Sequence, residues 1–190
     1  MKQLFLFSMM TAMVLVSVSC NTQVKEERLK RIDSLGIHLN YVQEAANEID
    51  SMTLINRVQD IDRTSSWIYD NITDTLDRVP GLILGDYMRT KKYLGQSLER
   101  YNQVNNELRY SRKQLDNLRK DVKGSFYSEE EFNGYFNTES SSIANLVSAT
   151  DELKDKFEMS DSRYRELKPK MTAVVDSIKS IIYADEPIAP

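Results

Sequence analysis

Between Phe132 and Ile181, apolar residues return at alternating steps of three and four positions. One row is Phe136, Ile143, Thr150, Phe157, Tyr164, Met171 and Ile178. Its companion is Phe132, Glu139, Leu146, Leu153, Ser160, Leu167, Val174 and Ile181. Only Glu139, Thr150 and Ser160 interrupt. A repeat of about 3.5 keeps one apolar stripe facing a partner helix along its whole length. A strand cannot use this spacing, because its side chains alternate between faces with a period of two. The pattern predicts one helix of about 50 residues, roughly 75 Å long at 1.5 Å per residue. Pro169 falls at the position farthest from the stripe, where its missing N–H faces water.

The start of this helix is written in the residues before it. Ser128 and Glu131 stand in the Ser-x-x-Glu spacing of a capping box, and Tyr127 and Phe132 at the two positions of a hydrophobic staple. Glu129 and Glu130 suit the positive end of the helix dipole. A second helix is expected from about Asp86 to Lys123, on the sevenfold row Tyr87, Leu94, Tyr101, Leu108, Leu115 and Val122. Thr90, Ser97, Val104, Ser111 and Leu118 accompany it. Gly85 and Asp86 mark its start and Gly124 its stop. Upstream, Ile32, Leu35, Leu39, Val42, Ala46 and Ile49 share a stripe. Leu54, Val58, Ile61, Ser65, Ile68, Ile72, Thr75 and Val79 share another. The two fall out of register near Thr53, which predicts a kink or break between about Ser51 and Leu54.

The expected connections are short, Pro80 to Gly85 and Gly124 to Tyr127, and short connections make neighbouring helices antiparallel. The fold class is therefore all-α: an elongated antiparallel helical bundle or coiled coil of about three long helices. The alternative is a compact bundle of four to five shorter helices. Only 6 Gly and 4 Pro in 190 residues agree with few turns. A net charge of −4 at pH 7 leaves no basic surface for a phosphate backbone, so nucleic acid is not an expected partner.

The chain opens "MKQLFLFSMMTAMVLVSVSC". Lys2 is a short positive region, and Leu4 to Val18 is an apolar run shorter than the roughly 20 residues of a membrane-spanning helix. Small residues Ser17 and Ser19 lead to Cys20, the only cysteine. This resembles the lipobox of bacterial lipoproteins, where a small residue precedes an obligatory Cys. The thiol is the nucleophile that forms the thioether to diacylglycerol. The resemblance implies cleavage before Cys20, lipidation of Cys20, and firm anchoring by two or three acyl chains. It implies a signal peptide over 1–19 and a lipidated tether over 20–30, and the helical pattern then gives a single bundle domain over 31–182 and a flexible tail over 183–190. Without Cys20 no disulfide is available, so the fold must stand on packing.

Two further resemblances point to Bacteroidota envelope lipoproteins. Lys25-Glu26-Glu27 resembles their surface-export signal, although a charged helix start reads the same. Four triplets resemble their O-glycosylation motif of Asp, then Ser or Thr, then a small aliphatic residue, Met or Thr, which puts candidate sites at Ser34, Ser51, Thr75 and Ser177. Amphipathic helices also generate such triplets. The implied location is the bacterial cell envelope, lipid-anchored, at the outer membrane on its periplasmic face or at the cell surface.

Signals of catalysis are sparse. There is no Gly-rich phosphate loop, nucleophile elbow or Cys/His metal spacing. His38 is the only histidine and lies beside a core stripe. Asp70, Asp74 and Asp77 sit at helical spacing, but calcium needs more oxygens at one point. Neither a metal nor a cofactor is expected. Leu82, Ile83 and Leu84 stand between Gly81 and Gly85 in an expected turn, where polar residues are usual. They either plug the bundle end or contact a partner or membrane. Tyr87, Tyr101 and Tyr164 lie on core stripes. Tyr69, Tyr93 and Tyr110 flank theirs and could build a binding face.

The reading is a non-catalytic helical binding or structural module. It is held to the membrane by its lipid and has a protein partner in the envelope. Self-association through the helical stripes is a further expectation. The alternative is a small-ligand carrier or enzyme with a cavity between helices, for which only Glu139, Thr150, Ser160, Ser97 and Ser111 offer inward polar groups.

Overall fold

The computed structural model describes residues 2–72 and 75–184, with side chains from Thr22 onward except Tyr183. These residues form four helices: α1 (Lys2–Asn47), α2 (Ser51–Asn71), α3 (Arg78–Gly124) and α4 (Glu129–Ala184). No strand occurs among the described residues, and the fold is an all-α bundle. The first of the three expected legs is thus divided in two. Contacts group the chain into two compact units, Met1–Gln43 with Asn106–Ser148, and Glu44–Asn105 with Ala149–Pro190. The sequence pattern had suggested one bundle over 31–182.

In the first unit, the α1 stripe Ile32, Leu35, Leu39 and Val42 is buried. It meets Leu108, Leu115, Leu118 and Val122 of α3 and Phe132, Ile143 and Leu146 of α4, all buried too. Cross-helix bonds fix the directions. Arg119 pairs with Asp33 at 2.6 Å, and Arg112 donates to the Leu39 carbonyl at 3.3 Å, so α3 runs against α1. Arg28 donates to the Tyr127 carbonyl at 3.1 Å and Arg31 to Asn133 Oδ1 at 2.9 Å, so α4 runs along α1. The same two arginines lie over the Phe132 ring, and Arg31 also covers Phe136 at 4.2 Å. The segment read as a tether is helical over residues 22–30 and held to the first unit, with Lys25 donating to the Lys123 carbonyl of α3 and Arg28 to the Tyr127 carbonyl before α4. The Cys20 side chain and residues 185–190 of the expected tail lie outside the described residues.

The second unit repeats the arrangement with α2. Leu54, Ile61, Ser65 and Ile68 pack with Leu84, Tyr87, Thr90, Leu94, Ser97 and Val104 of α3 and Leu153, Ser160, Leu167 and Met171 of α4. Lys154 pairs with Glu48, so α4 again runs along the first leg. Pro169 sits inside α4 and is exposed, as its distance from the stripe requires.

Local chemistry sets the helix ends. The α1–α2 break falls at residues 48–50, a little before the expected place. Asp50 caps α2 by accepting from the Met52 and Thr53 N–H groups at 2.9 and 3.2 Å. The capping box of α4 is formed, with Ser128 N–H on Glu131 at 2.9 Å and Glu131 N–H on Ser128 Oγ at 3.2 Å. The stop of α3 differs in detail from the expected glycine signal. Ser125, not Gly124, takes the left-handed conformation, with φ 58°. Its N–H bonds the Val122 carbonyl and that of Phe126 the Asp121 carbonyl, the paired bonds of a Schellman motif. The Phe126 ring occupies the space a Cβ on Gly124 would need.

The start of α3 corrects the sequence reading. Residues 80–85 are helix, not turn, and the connection lies between Asn71 and Arg78. Pro80 is the third helical residue, where its missing N–H has no partner to lose. The first intrahelical bond runs from Gly81 N–H to the Asp77 carbonyl at 2.9 Å. Leu82, Ile83 and Leu84 therefore lie on different faces. Leu84 is buried, Ile83 half-buried and Leu82 exposed, so only Leu84 contributes to the core.

Candidate functional site

Three features of the second unit gather side chains that could do more than fill a core. The first is a polar knot. Asp60 of α2 accepts from the Tyr87 hydroxyl of α3 at 2.6 Å and the Tyr164 hydroxyl of α4 at 2.7 Å. The Lys168 ammonium of α4 reaches both of its carboxylate oxygens at 2.7 Å. One turn away Arg57 pairs with the buried Asp161, which Arg165 also holds. The Arg57 guanidinium lies 5.0 Å over the Tyr164 ring, and the two tyrosine rings are 6.0 Å apart.

The electrostatics of this knot separate its groups. Burial alone would raise the Asp60 carboxyl, but bonds from Lys168, Tyr87 and Tyr164 outweigh it and leave it lowered. Burial, then the Asp60 bond, pushes Tyr164 up to about 12 and raises Tyr87 further. Carboxylate and phenols move apart, so neither changes protonation near neutral pH. The arrangement suits holding three helices together better than moving a proton.

The second feature is a groove between α3 and α4, about 580 Å³ in volume, lined by Tyr93, Gln96, Arg100, Glu152, Lys156 and Met159 among others. Its floor carries Ser97, Leu153 and Ser160. The two serines interrupt their apolar stripes, and the structure brings them to one place. The Ser160 hydroxyl donates back to the Lys156 carbonyl at 2.7 Å. Of the other polar stripe residues, Ser111 and Glu139 belong to the first unit, and Thr150 is buried elsewhere in the second.

The third feature is apolar. The end of α2, the connection, the start of α3 and the last turns of α4 enclose a groove of about 740 Å³. Ile72, Leu76, Pro80, Ile83, Val174, Ile178, Ile181 and Ile182 line it. The α4 stripe loses its cover here, since nothing in α2 extends past Asn71 to meet it.

The sequence-predicted sites are dispersed. Ser34 is exposed on α1, its hydroxyl on the Arg31 carbonyl at 2.6 Å. Ser51 is half-buried as the first residue of α2. Thr75 is exposed in the connection, and Ser177 is exposed on α4 beside the apolar groove. Tyr69, Tyr93 and Tyr110 are exposed. His38 is exposed on α1. Asp70 and Asp77 are exposed, while Asp74 lies outside the described residues. Among the described residues no three His, Cys, Asp or Glu side chains gather where they could hold a metal ion, and no helix is long and apolar enough to cross a membrane.

Sequence reasoning missed the Asp60 knot. Tyr87 and Tyr164 were legible as core rings, but what their hydroxyls reach depends on the register of α2. The one available signal was a pair of charges, Arg57 and Asp60, flanking an otherwise apolar stripe. No known protein family, curated protein or solved structure matches this chain.

Proposed function

We propose that the chain is a lipid-anchored protein of the bacterial cell envelope, attached at the outer membrane through Cys20, that works as a non-catalytic helical binding or structural module. One observation carries the reading: the apolar run from Leu4 ends in small residues and a lone cysteine, with no other cysteine to pair it. The bundle supports it, because its most developed polar cluster is spent on joining helices and its grooves are open surfaces. A protein partner in the envelope is the expected occupant of such a surface.

Labelled palmitate tests the anchor. The native host should incorporate it into the full chain, and Cys20→Ser should abolish labelling and release the protein from membranes. Labelling that survives Cys20→Ser would refute the assignment. Protease treatment of intact cells, compared with cells whose outer membrane is opened, then distinguishes the two membrane faces. Among the glycosylation-like sites, Thr75 is the one outside a helix, so site mapping should find a glycan there before Ser34, Ser51 or Ser177.

A second reading, a small-ligand carrier, rests on the convergence of Ser97 and Ser160 in the α3–α4 groove. A low-molecular-mass envelope extract should then raise the melting temperature by mass action, and an unmoved transition counts against it.

A further inference from the structure

We propose that two copies of this chain associate through the apolar end of the second unit, where α2, α3 and α4 leave the groove of about 740 Å³. This goes beyond the anchor and does not depend on it.

The same end carries both a depression and projections. Ile72, Leu76, Ile83, Val174, Ile178 and Ile181 form the aliphatic walls. Val79 and Leu82 project beside them from the first turns of α3, each more than 60% exposed (66% and 63%). A surface with both shapes can be complementary to itself. Closed two-fold contacts require that property, since each patch meets its own copy.

Charge selects the occupant. Among the described residues, Asp77 and Lys170 are the charged residues lining the groove, with opposite signs, and Lys170 also reaches Glu166 of its own helix at 2.7 Å. Asp77 stands on the wall made by the connection, and Lys170 on the wall made by α4. A lipid surface covering this end would bury both without adding a partner for Asp77, at the cost that attends unpaired charge in an apolar medium. A two-fold contact instead sets Asp77 of one copy toward Lys170 of the other, twice over, while the aliphatic walls close on the projecting Val79 and Leu82. A small polar ligand is disfavoured, because sites for such molecules place several converging donors or acceptors in an apolar pocket. Here the described lining is mostly branched aliphatic, and its uncharged polar members, Asn71, Thr75 and Ser177, come from three different segments.

Charge reversal across copies tests this directly. Leu82 of the full chain is replaced by photoreactive benzoylphenylalanine, and cells expressing it are irradiated. The expected product is an adduct at twice the mass of the chain. Asp77→Lys leaves only lysines at the two positions, and Lys170→Asp leaves only aspartates. Each variant expressed alone should therefore lose the adduct at least fivefold. Expressed together, with one copy epitope-tagged, the two variants should restore it as a mixed pair. A misfolded variant could not give that restoration, so recovery separates lost complementarity from lost structure. An adduct of another mass, an adduct that survives the single reversals, or no recovery on co-expression would overturn the proposal. Cys20→Ser leaves the chain able to form the adduct if the proposal holds, so failure of the anchor reading is distinguishable.

Discussion

Replacing Asp60 with alanine removes the one acceptor shared by three helices. Tyr87 is fully buried, so its hydroxyl would lose its charged acceptor and keep only the neighbouring Tyr164 hydroxyl, in a place water reaches poorly. Losing that acceptor costs about 1–3 kcal/mol. Tyr164 is half-buried and its hydroxyl can turn to solvent, which adds about 1 kcal/mol. The Lys168 side chain is 37% exposed, so loss of its ion pair is screened and adds well under about 1 kcal/mol. The sum is about 3 kcal/mol. For a chain of this length that lowers the melting temperature by about 6–12 °C. The assay is urea denaturation followed by far-UV circular dichroism, run as a double-mutant cycle with Tyr87→Phe. In the native background Tyr87→Phe should cost about 1 kcal/mol. In the Asp60→Ala background it should cost much less, because the carboxylate that the hydroxyl served is already gone. Equal costs in both backgrounds would refute the assignment of Tyr87 to Asp60. The pH dependence has a definite sign. The folded carboxyl lies below its unfolded value, so its contribution is present above about pH 4 and is lost as pH falls through the folded value. The gap between native protein and Asp60→Asn should therefore close in acid.

Four other substitutions follow from the structure. Ser125→Gly removes the cost of a left-handed backbone at a non-glycine residue and should stabilise by about 1 kcal/mol in the same denaturation, whereas a loss would show the Schellman turn to be absent. Leu84→Ala should cost about 2–4 kcal/mol and Leu82→Ala less than about 0.5, so similar melting curves for the two would return residues 80–85 to a turn. Glu139→Leu should raise the melting temperature by a few degrees at neutral pH, since burial raises the Glu139 carboxyl and its ionised form opposes folding. That advantage should shrink as pH falls and the native carboxyl takes up its proton, and a gain that grew in acid would contradict the cause.

The helical pattern was legible because burial repeats it. Every member of the stripe from Ile32 to Ile49 is buried, as is every member of the Tyr87 row except the half-buried Tyr101. The α4 capping box could be read as well, because both partners lie within four residues of one another. Position 80 was not legible in the same way. Pro80, Gly81 and Gly85 each favour turns locally, yet proline is harmless in a first turn, and the burial of Leu84 and Tyr87 outweighs about 1 kcal/mol per helical glycine. The grooves were less legible still. Ser97 and Ser160 are far apart in the chain, and their meeting depends on how α3 and α4 align. That alignment also uncovers the last turns of α4, because α2 stops at Asn71.

A sevenfold stripe has a hidden weakness: slide one helix by seven residues and its apolar face still fits. The salt bridges of the second unit remove that freedom between α2 and α4. Shifted one way, Asp161 arrives where Lys168 had been, so Asp60 meets a carboxylate, and Arg57 meets Lys154. Phe157, which has no hydroxyl, then replaces Tyr164. Shifted the other way, Arg57 meets Lys168, and Asp60 faces Val175 in place of the Lys168 ammonium. The correct alignment is thus distinguished from its neighbours by charge rather than by packing. Neutralising the knot should cost the bundle its uniqueness as well as its stability, and leave a chain that folds into several frames.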